Sequence, residues 1–378
     1  MDFSLNEDQE MFRGYVRKYL VDAGQTRVAR DYIKGKTDSL REIQAGLAEL
    51  GCTAINISEK YGGLGLTSLD LVPVLEEMGR AILPGVYLET MGLAVPLLEK
   101  YGTEELKEKY LPEIASGRRS ITLAWLEPSK NYALGEVECN AADIGDSYVI
   151  NGVKGLVPDG DQADTFLLLI RTNERVTKED GLSFILVDQT PDLEIKIQKS
   201  IDGTRHLCQI NFDNVKVSKQ QVLGSVDKGW EILHEGLLYL NGAITSYIVG
   251  GMDKVVEMAT EYAKIREQFG QPIGRFQAIK HRIVDMKTEL ESARSLSYYA
   301  NWGLEGQDQD REAAIYSARA YATDAYIRIA GHNIQIHGGI GVTEELDCQL
   351  FLKRARYFEN YLGSISYYNE QTALALGW

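Results

Sequence analysis

The sequence of 378 residues predicts a mainly α-helical α+β protein, in which a helical region is followed by antiparallel β structure and then by a helical bundle. Three observations predict this order. Apolar residues recur at helical spacing in the first third, short runs rich in β-branched and aromatic residues lie between turn signals in the middle, and two long apolar stripes mark the last third. No helical segment alternates with the expected strands, which argues against a doubly wound parallel sheet.

The first third of the chain is expected to be helical. Ser4 and Glu7 have the spacing of a capping box, and an apolar stripe follows over residues 11–20. A glycine-rich connection at residues 61–67 is interpreted as a turn, because it lacks both the GxGxxG spacing and the preceding strand of a phosphate-binding loop. Further helices are expected at residues 38–50, 69–80 and 104–114.

Strands are expected in the middle of the chain and long helices in its last third. The apolar stripes at residues 252–263 and 276–293 are typical of an antiparallel helical bundle. A third long helix is expected from about Arg311 towards Asn333, and it should end near a pair of glycines. The expected strands are residues 147–150, 165–171, 182–187, 193–197 and 208–217.

Charge and composition exclude several classes of protein. The chain has 40 Lys and Arg residues against 55 Asp and Glu residues, and a surface with net charge −15 repels the phosphate backbone of nucleic acids. No apolar run approaches the length of a membrane span, about 18 residues, and the acidic N-terminus does not resemble a signal peptide. The four cysteines are widely scattered and none lies in a CxxC pair, so a protein of the reducing cytoplasm is expected. No metal site is expected, because only His332 and His337 have even a weak ligand spacing.

Two segments of the last third carry a resemblance to a known family. Residues 262–286 read YAKIREQFGQPIGRFQAIKHRIVDM, and residues 335–344 read QIHGGIGVTE. They resemble the acyl-CoA dehydrogenase family, whose patterns at these places are YxxxRxxFGxxIxxxQxxxxxxADM and QxxGGxGxxxE. Weaker matches in the family's order extend the resemblance over essentially the whole chain, at residues 47–51, 59–65, 76–80, 110–117, 149–154 and 212–217.

The resemblance implies a fold, a cofactor and an assembly. The implied fold has an N-terminal α-helical domain at residues 1–120, a middle antiparallel β-barrel-like domain at residues 121–225 and a C-terminal four-helix bundle at residues 226–378. It also implies FAD as the cofactor, an acyl-CoA thioester as the substrate and a dimer or tetramer in which a neighbouring subunit supplies part of the FAD contacts. The cofactor-binding residues implied by match are Arg266, Gln268, Phe269, Gln335, Gly338, Gly339 and Ser364.

The positions of the family's catalytic base hold leucine in this chain. In the family a glutamate removes a proton from Cα of the thioester while the flavin accepts a hydride from Cβ. Leu362, after Tyr361, takes the place of this glutamate at one of its two positions, and Leu240 takes it at the other. Because leucine cannot accept a proton, neither position is expected to be catalytic. Glu359, one helical turn before Leu362, is the weak candidate for a relocated base.

The positions that contact the flavin ring are altered as well. The family's TEPGAGSD segment reads LEPSKNY at residues 126–132, and its KMWITNG segment reads KGLVPDG at residues 154–160. Leu156 and Pro158 replace the tryptophan and threonine that contact the ring, and proline has no N–H to donate. Arg205 matches another family segment and is either a substrate-side or a fold-stabilising residue.

Three functional hypotheses follow from the resemblance. The first is a subunit that lacks the catalytic glutamate in a heteromeric acyl-CoA dehydrogenase, inactive alone and acting with a related chain. The second is a self-sufficient acyl-CoA dehydrogenase with a relocated base, for which Glu235, Glu359 and Glu370 are the nearest carboxylates in sequence. The third is a flavin-dependent monooxygenase on the same fold, which needs no such base. Residues 337–355 resemble the branch of the family that acts on bulky acyl-CoAs such as steroid side chains.

Overall fold

A computed structural model describes residues 5–128, 136–173, 177, 179–306 and 310–378, and it confirms the predicted order of a helical, a β and a second helical region. The helices of the first region are α1 (Glu7–Asp22), α2 (Arg27–Ile33), α3 (Asp38–Glu49), α4 (Ser68–Arg80), α5 (Tyr87–Glu89), α6 (Val95–Tyr101) and α7 (Glu104–Ala115). Those of the last region are α8 (Gly229–Ile265), α9 (Gln277–Glu305), α10 (Arg311–His337), α11 (Cys348–Asn360) and α12 (Ile365–Ala375).

The contacts within the chain divide it into two compact units. Unit 1 consists of Met1–Ser39, Ser68–Pro84 and Asn241–Trp378, and unit 2 consists of Leu40–Thr67 and Gly85–Leu240. Unit 2 contains the large β-sheet and residues 229–240 of α8, and unit 1 contains the rest of α8 together with α9 to α12.

The sheet of unit 2 has eight strands in the described part of the chain. Its order is β6-β7-β3-β2-β4-β5-β8, with β1 paired to β4. Most pairs are antiparallel as predicted, but β1 and β2 run parallel to β4. The strands are β1 (Ile121–Ala124), β2 (Asn140–Asp143), β3 (Ser147–Pro158), β4 (Thr165–Arg171), β5 (Leu182–Asp188), β6 (Glu194–Gln198), β7 (Leu207–Ser218) and β8 (Val222–Leu223).

One face of this sheet forms the apolar core of unit 2. Phe166 on β4 meets Phe212 on β7 edge to face, with ring centroids 6.4 Å apart, and Ile150 and Ile170 are fully buried beside them. Aromatic and β-branched side chains suit such a pleated, buried surface, which is why their runs predict β3 to β7.

Helices α4 and α8 approach each other in unit 1 closely enough to require glycine. A Cβ added at Gly79 would lie 1.9 Å from the Tyr247 carbonyl oxygen, and one added at Gly250 would lie 1.8 Å from the Glu76 carbonyl oxygen. The EEMGR segment at residues 76–80 therefore has a packing role, since a side chain at either glycine would push the helices apart.

A buried carboxylate of α4 is held by two arginines. Glu76 is 1% exposed, and its oxygens lie 3.2 Å from Arg13 and 3.5 Å from Arg294. Burial raises the pKa of Glu76, and the two guanidinium groups oppose that rise. These ion pairs join α1, α4 and α9 within unit 1.

The N-terminus of α1 is capped by other residues than the sequence predicts. Ser4 lies outside the described residues, and the capping box is made by Asn6 and Gln9. The Gln9 amide donates to Asn6 Oδ1 at 2.8 Å, and the Asn6 amide donates to Gln9 Oε1 at 2.9 Å. Asparagine is as good an N-cap as serine, and Asn6 and Gln9 have the same three-residue spacing as Ser4 and Glu7, so the sequence alone does not distinguish the two pairs.

Arg205 forms buried ion pairs, which are the contacts expected of a fold-stabilising residue. It is 1% exposed, and its guanidinium lies 2.8 Å from Glu89 Oε1 and 2.6 Å from Asp159 Oδ2, both on fully buried carboxylates. The next residue, His206, places Nδ1 2.9 Å from Asp161 Oδ2. Two ion pairs therefore tie the start of β7 to the turn that follows β3.

The His206–Asp161 pair is expected to make stability depend on pH. Burial lowers the pKa of His206, but the hydrogen bond and the charge of Asp161 outweigh it, so the pKa is raised overall. A raised folded-state pKa gives stability that is complete below the unfolded value of about 6.5 and is lost as pH rises through the folded value. We expect the free energy of unfolding of wild type, measured in urea, to exceed that of His206→Gln by about 1 kcal/mol at pH 5.5 and by less at pH 8.5. An equal difference at both pH values would show that the His206–Asp161 pair does not make stability depend on pH.

Candidate functional site

The first motif ends a helix and begins a tight hairpin. The Arg266 amide donates to the Tyr262 carbonyl at 2.9 Å at the end of α8, and strands β9 (Glu267–Gln268) and β10 (Gln271–Pro272) then pair antiparallel. The two residues between them, Phe269 and Gly270, have φ values of 53° and 76°. A two-residue hairpin turn of this hand requires positive φ at both positions, and glycine at the second position suits it.

The side chains expected to bind the cofactor project from this hairpin. Phe269 is 91% exposed and contacts Phe276 edge to face, with ring centroids 6.0 Å apart. Arg266 and Gln268 are also exposed. An aromatic ring held this openly, beside a guanidinium and an amide, can contact another molecule without any rearrangement of unit 1.

The second motif ends helix α10. Gln335 is exposed on the last turn, and Gly338 follows the helix with φ of 65°. The Gly338 amide donates to the Gln335 and Ile334 carbonyls as a helix C-cap, so this expected phosphate donor is already engaged. A Cβ added at Gly338 or Gly339 would meet nothing within 4 Å, which leaves both glycines open to a ligand.

A ring stack that sequence reasoning missed joins the two motifs. Tyr262 and His337 stack with centroids 4.1 Å apart and an interplanar angle of 25°, and Tyr262 Oη donates to the His337 carbonyl at 3.5 Å. His337 Nδ1 lies 2.9 Å from the Asn333 carbonyl. Burial lowers the pKa of His337, so the neutral ring donates through Nδ1. The only signal in the sequence is that Tyr262 opens one motif and His337 precedes the glycines of the other.

The backbone at the first base position is unusual for leucine. Leu362 is 5% exposed and has φ of 66°, a left-handed conformation that a branched side chain rarely adopts. Arg319 holds the preceding turn, because its Nη2 donates to the Phe358 carbonyl at 2.8 Å and to the Tyr361 carbonyl at 3.1 Å. The turn is therefore held in a strained conformation, although the side chain of Leu362 offers no proton acceptor.

The other expected residues lie in ordinary structural settings. Leu240 is fully buried in unit 2. Glu359 on α11 forms an ion pair with Arg356 at 2.8 Å, and Ser364 caps α12 by accepting from the Tyr367 amide at 3.2 Å. Glu359 thus has a surface partner within its own helix, and the contact gives no indication of a role as base.

Glu235 and Glu370 are the two remaining candidates for a relocated base. Glu235 on α8 is buried and lies 2.6 Å from Lys100, whose side chain is 46% exposed. Burial lowers the pKa of Lys100, but the hydrogen bond to Glu235 and the charge of Glu235 together outweigh it, so the pKa is raised overall. Glu370 on α12 is exposed. Glu235 is therefore part of a structural ion pair, and Glu370 is a surface carboxylate.

The flavin-ring positions of unit 2 offer few polar groups. Residues 129–132 of the altered segment lie outside the described residues. Leu126 is buried, the Leu156 amide donates to Gln198 Oε1 at 3.2 Å, and the Pro158 carbonyl accepts from Thr122 Oγ1 at 2.7 Å. The side chains at these three positions can neither donate nor accept a hydrogen bond. They fit an apolar surface and do not fit the polar edge of a flavin ring.

The retained glutamate of the same segment has a structural role. Glu127 Oε1 lies 2.9 Å from Lys154 Nζ, and the Glu127 carboxylate accepts from the amides of Glu138 and Cys139. Lys154 is fully buried and also donates to the Trp125 carbonyl at 3.1 Å. This buried pair joins the segment after β1 to β3 and to the start of β2, which accounts for Glu127 without a ligand.

The described residues contain neither a metal-binding cluster nor a helix suited to a membrane. In those residues no group of three or more His, Cys, Asp or Glu side chains could hold a metal ion. None of the helices in the same part of the chain combines the length and the apolar character that crossing a membrane requires.

Comparisons with known proteins identify the same family twice. The model described as "Acyl-CoA dehydrogenase, N-terminal domain" matches residues 6–118, and the model described as "Acyl-CoA dehydrogenase, C-terminal domain" matches residues 227–373. Together they leave mainly the β region unmatched.

Individual relatives match over most of their length. The mitochondrial isovaleryl-CoA dehydrogenase of Solanum tuberosum is 31% identical over 312 residues, which is 81% of this chain and 75% of that protein. The 3-(aryl)acrylate reductase of Clostridium sporogenes is 29% identical over 95% of each chain. Among solved structures, the FAD complex of PigA superposes with a TM-score of 0.90 at 26% identity, covering 100% of this chain and 99% of that one.

Proposed function

The chain belongs to the acyl-CoA dehydrogenase family, and from this premise we propose that it is the subunit lacking the catalytic carboxylate in a heteromeric FAD-dependent acyl-CoA dehydrogenase. Members of the family act on acyl-CoA substrates and form oligomers, and FAD is the cofactor. In this proposal a related chain supplies the base and holds the flavin ring, and the present chain supplies contacts across the interface.

One observation carries the proposal. Leu362 is buried in a left-handed turn at the place of the family's glutamate, and the side chain is apolar. Removal of a proton next to a thioester needs an acceptor within hydrogen-bond reach of Cα, and leucine has none. Leu240, at the second position of the family's base, is buried and apolar too.

The two parts of the expected FAD site support this division of labour. On the hairpin, Arg266 and Gln268 are exposed and able to donate to an anionic phosphate, and Phe269 offers a ring face beside them. On unit 2, Leu156 and Pro158 offer no side-chain donor to a flavin ring. We therefore assign the flavin chemistry to the partner chain and derive no redox step from the residues of this one.

The proposal also includes a substrate class. Residues 337–355 resemble the branch of the family that acts on bulky acyl-CoAs, such as those with steroid side chains. We extend the proposal to that class. Turnover of the assembled complex with a steroid-side-chain CoA thioester and with butyryl-CoA compares the two extremes of acyl size.

The test compares the chain alone with the chain beside a partner. We expect the purified chain to hold less than one FAD per polypeptide and to reduce an electron-accepting dye with acyl-CoA at least about 10²-fold more slowly than the complex, since a general base contributes roughly 10²–10⁴ in rate. Co-expression with each acyl-CoA dehydrogenase chain of the same genome should identify one that restores both flavin and turnover.

Two results would count against the proposal. One is a chain that binds a full equivalent of FAD alone and turns over at the rate of the complex, which would indicate a relocated base. The other is turnover that requires oxygen and reduced flavin instead of acyl-CoA, which would indicate a monooxygenase. Flavin absorbance and dye reduction distinguish these outcomes in one preparation.

A further inference from the structure

Both motifs that are expected to contact the cofactor lie at the C-terminal end of a helix. Arg266 follows the last residue of α8, and Gly338 follows the last residue of α10. A helix C-terminus carries a partial negative charge, and the Gly338 amide is already engaged in capping α10. An anionic group that binds here therefore meets the unfavourable ends of two helices, and it needs attraction from side-chain cations.

Arg266 is one cation at this place. Its side chain is exposed and makes no ion pair with any other residue that the structure describes. The Arg266 amide donates to the Tyr262 carbonyl one helical turn earlier, so the two side chains lie on the same face of the end of α8. Because the Tyr262 ring stacks on the His337 ring with centroids 4.1 Å apart, this face brings Arg266 to the same side as the His337 imidazole.

His337 can become the second cation. The residue is 7% exposed, and burial lowers the pKa of its imidazole, so the ring is neutral near pH 7. Nδ1 lies 2.9 Å from the Asn333 carbonyl, and a neutral imidazole that donates there has its lone pair on Nε2. No hydrogen bond joins Nε2 to another residue in the described part of the chain. Nε2 is therefore the atom on which His337 takes up a proton.

Burial is the one feature of these surroundings that opposes a charge on His337. Among the described residues, no charged side chain of α8, α9, α11 or α12, or of α10 itself, contributes to the shift of its pKa. The titratable group in direct contact with the imidazole is the Tyr262 phenol. The Asn333 carbonyl favours the charged ring, and so do the C-terminal end of α10 and the face of the Tyr262 ring. An anion within reach of Nε2 adds the attraction that offsets burial.

We propose that the binding of an anionic ligand at the two motifs is coupled to the uptake of one proton by His337. The ligand class is a nucleotide with a pyrophosphate, which the permanent charge of Arg266 and the acquired charge of His337 attract together. The proton passes from solvent to Nε2, and no bond of the ligand breaks. The inference rests on the proposed function in that FAD is the expected ligand, and it adds a residue and a pH dependence to that site.

The test measures binding of ADP-ribose to the purified chain by isothermal titration calorimetry at pH 5.5 and pH 8.5. ADP-ribose has the adenosine and the pyrophosphate of FAD, but it has no flavin and no terminal phosphate that titrates near pH 6. We expect binding at least about fivefold tighter at pH 5.5, as roughly one pKa unit of coupling gives when part of the free protein is already protonated. His337→Phe keeps an aromatic ring for the stack but cannot take up a proton, so its affinity should not change with pH.

Three variants are the controls. Arg266→Gln should weaken binding at both pH values and keep the pH dependence, because the guanidinium stays charged throughout. His332→Gln removes another α10 histidine whose pKa is lowered chiefly by burial, and it should keep the pH dependence of wild type. Tyr262→Phe keeps the stacked ring and should keep the pH dependence too.

Three results would overturn the proposal. They are equal affinity of wild type at both pH values, a pH dependence that persists in His337→Phe, and no binding of ADP-ribose to wild type at either pH. Should the phenylalanine variant fail to fold by circular dichroism, His337→Gln takes its place, since its amide does not titrate in this range either. None of these readouts uses flavin content or turnover, so the proposed function stands or falls by its own test.

Discussion

Replacing Leu362 by glutamate is expected to raise acyl-CoA turnover by about 10²–10⁴ in a chain whose flavin-ring positions are restored, and by almost nothing in the unmodified chain. The restored background carries Leu126→Thr, Leu156→Trp and Pro158→Thr, which return the residue types that the family has there. The expectation rests on the position of Leu362. Its side chain is buried, in a left-handed turn with φ of 66°, at the place where the family has its catalytic glutamate.

Comparing the unmodified chain with the restored background distinguishes the effect of the base from the effect of the flavin-ring positions. FAD content should rise with the three ring substitutions whether or not position 362 is changed, and turnover should rise only when all four are present. Glu359→Gln is the control for a relocated base, because it keeps the size of the side chain that now pairs with Arg356. If the three ring substitutions alone gave full turnover, and Glu359→Gln abolished it, the base would be Glu359 and the accessory-subunit proposal would be wrong.

How much of the fold could be predicted depends on how local its signals are. Strands β3 to β7 were predictable because each contains a short run of β-branched and aromatic residues between turn signals, and α8 and α9 because an apolar stripe runs along part of each. Strand β2 was not, since Asn140–Asp143 contains no β-branched or aromatic residue and is mostly exposed. The parallel pairing of β1 with β4 was not predictable either, because it joins residues about forty positions apart and no short turn signals it.

The candidate site also has features that no local sequence signal predicts. Motif matching named Phe269 and Gly338, but it could not show that Phe269 is 91% exposed or that the Gly338 amide already caps α10. Both depend on backbone torsion and on distances across the fold. The stack of Tyr262 on His337 joins residues 75 positions apart, and only coordinates can show that the two motifs share it.

Arg205→Met is expected to lower the free energy of unfolding by about 3–5 kcal/mol, because it leaves two buried carboxylates without their guanidinium. Glu89 and Asp159 are both 0% exposed and lie 2.8 Å and 2.6 Å from Arg205. Methionine keeps much of the volume, so the loss would come from charge and hydrogen bonding more than from a cavity. Urea unfolding at pH 7.5, followed by far-UV circular dichroism, measures it.

The pH dependence of that loss identifies its cause. If uncompensated charge destabilises Arg205→Met, the folded variant takes up protons on its buried carboxylates more readily than the unfolded chain does. Stability then rises as pH falls, because the folded state binds more protons. The deficit against wild type should therefore shrink between pH 7.5 and pH 5, and adding Glu89→Gln should recover part of it at pH 7.5. A deficit of equal size at both pH values would mean that Arg205 acts through packing alone, and the ion pairs to Glu89 and Asp159 would then contribute nothing measurable to the fold.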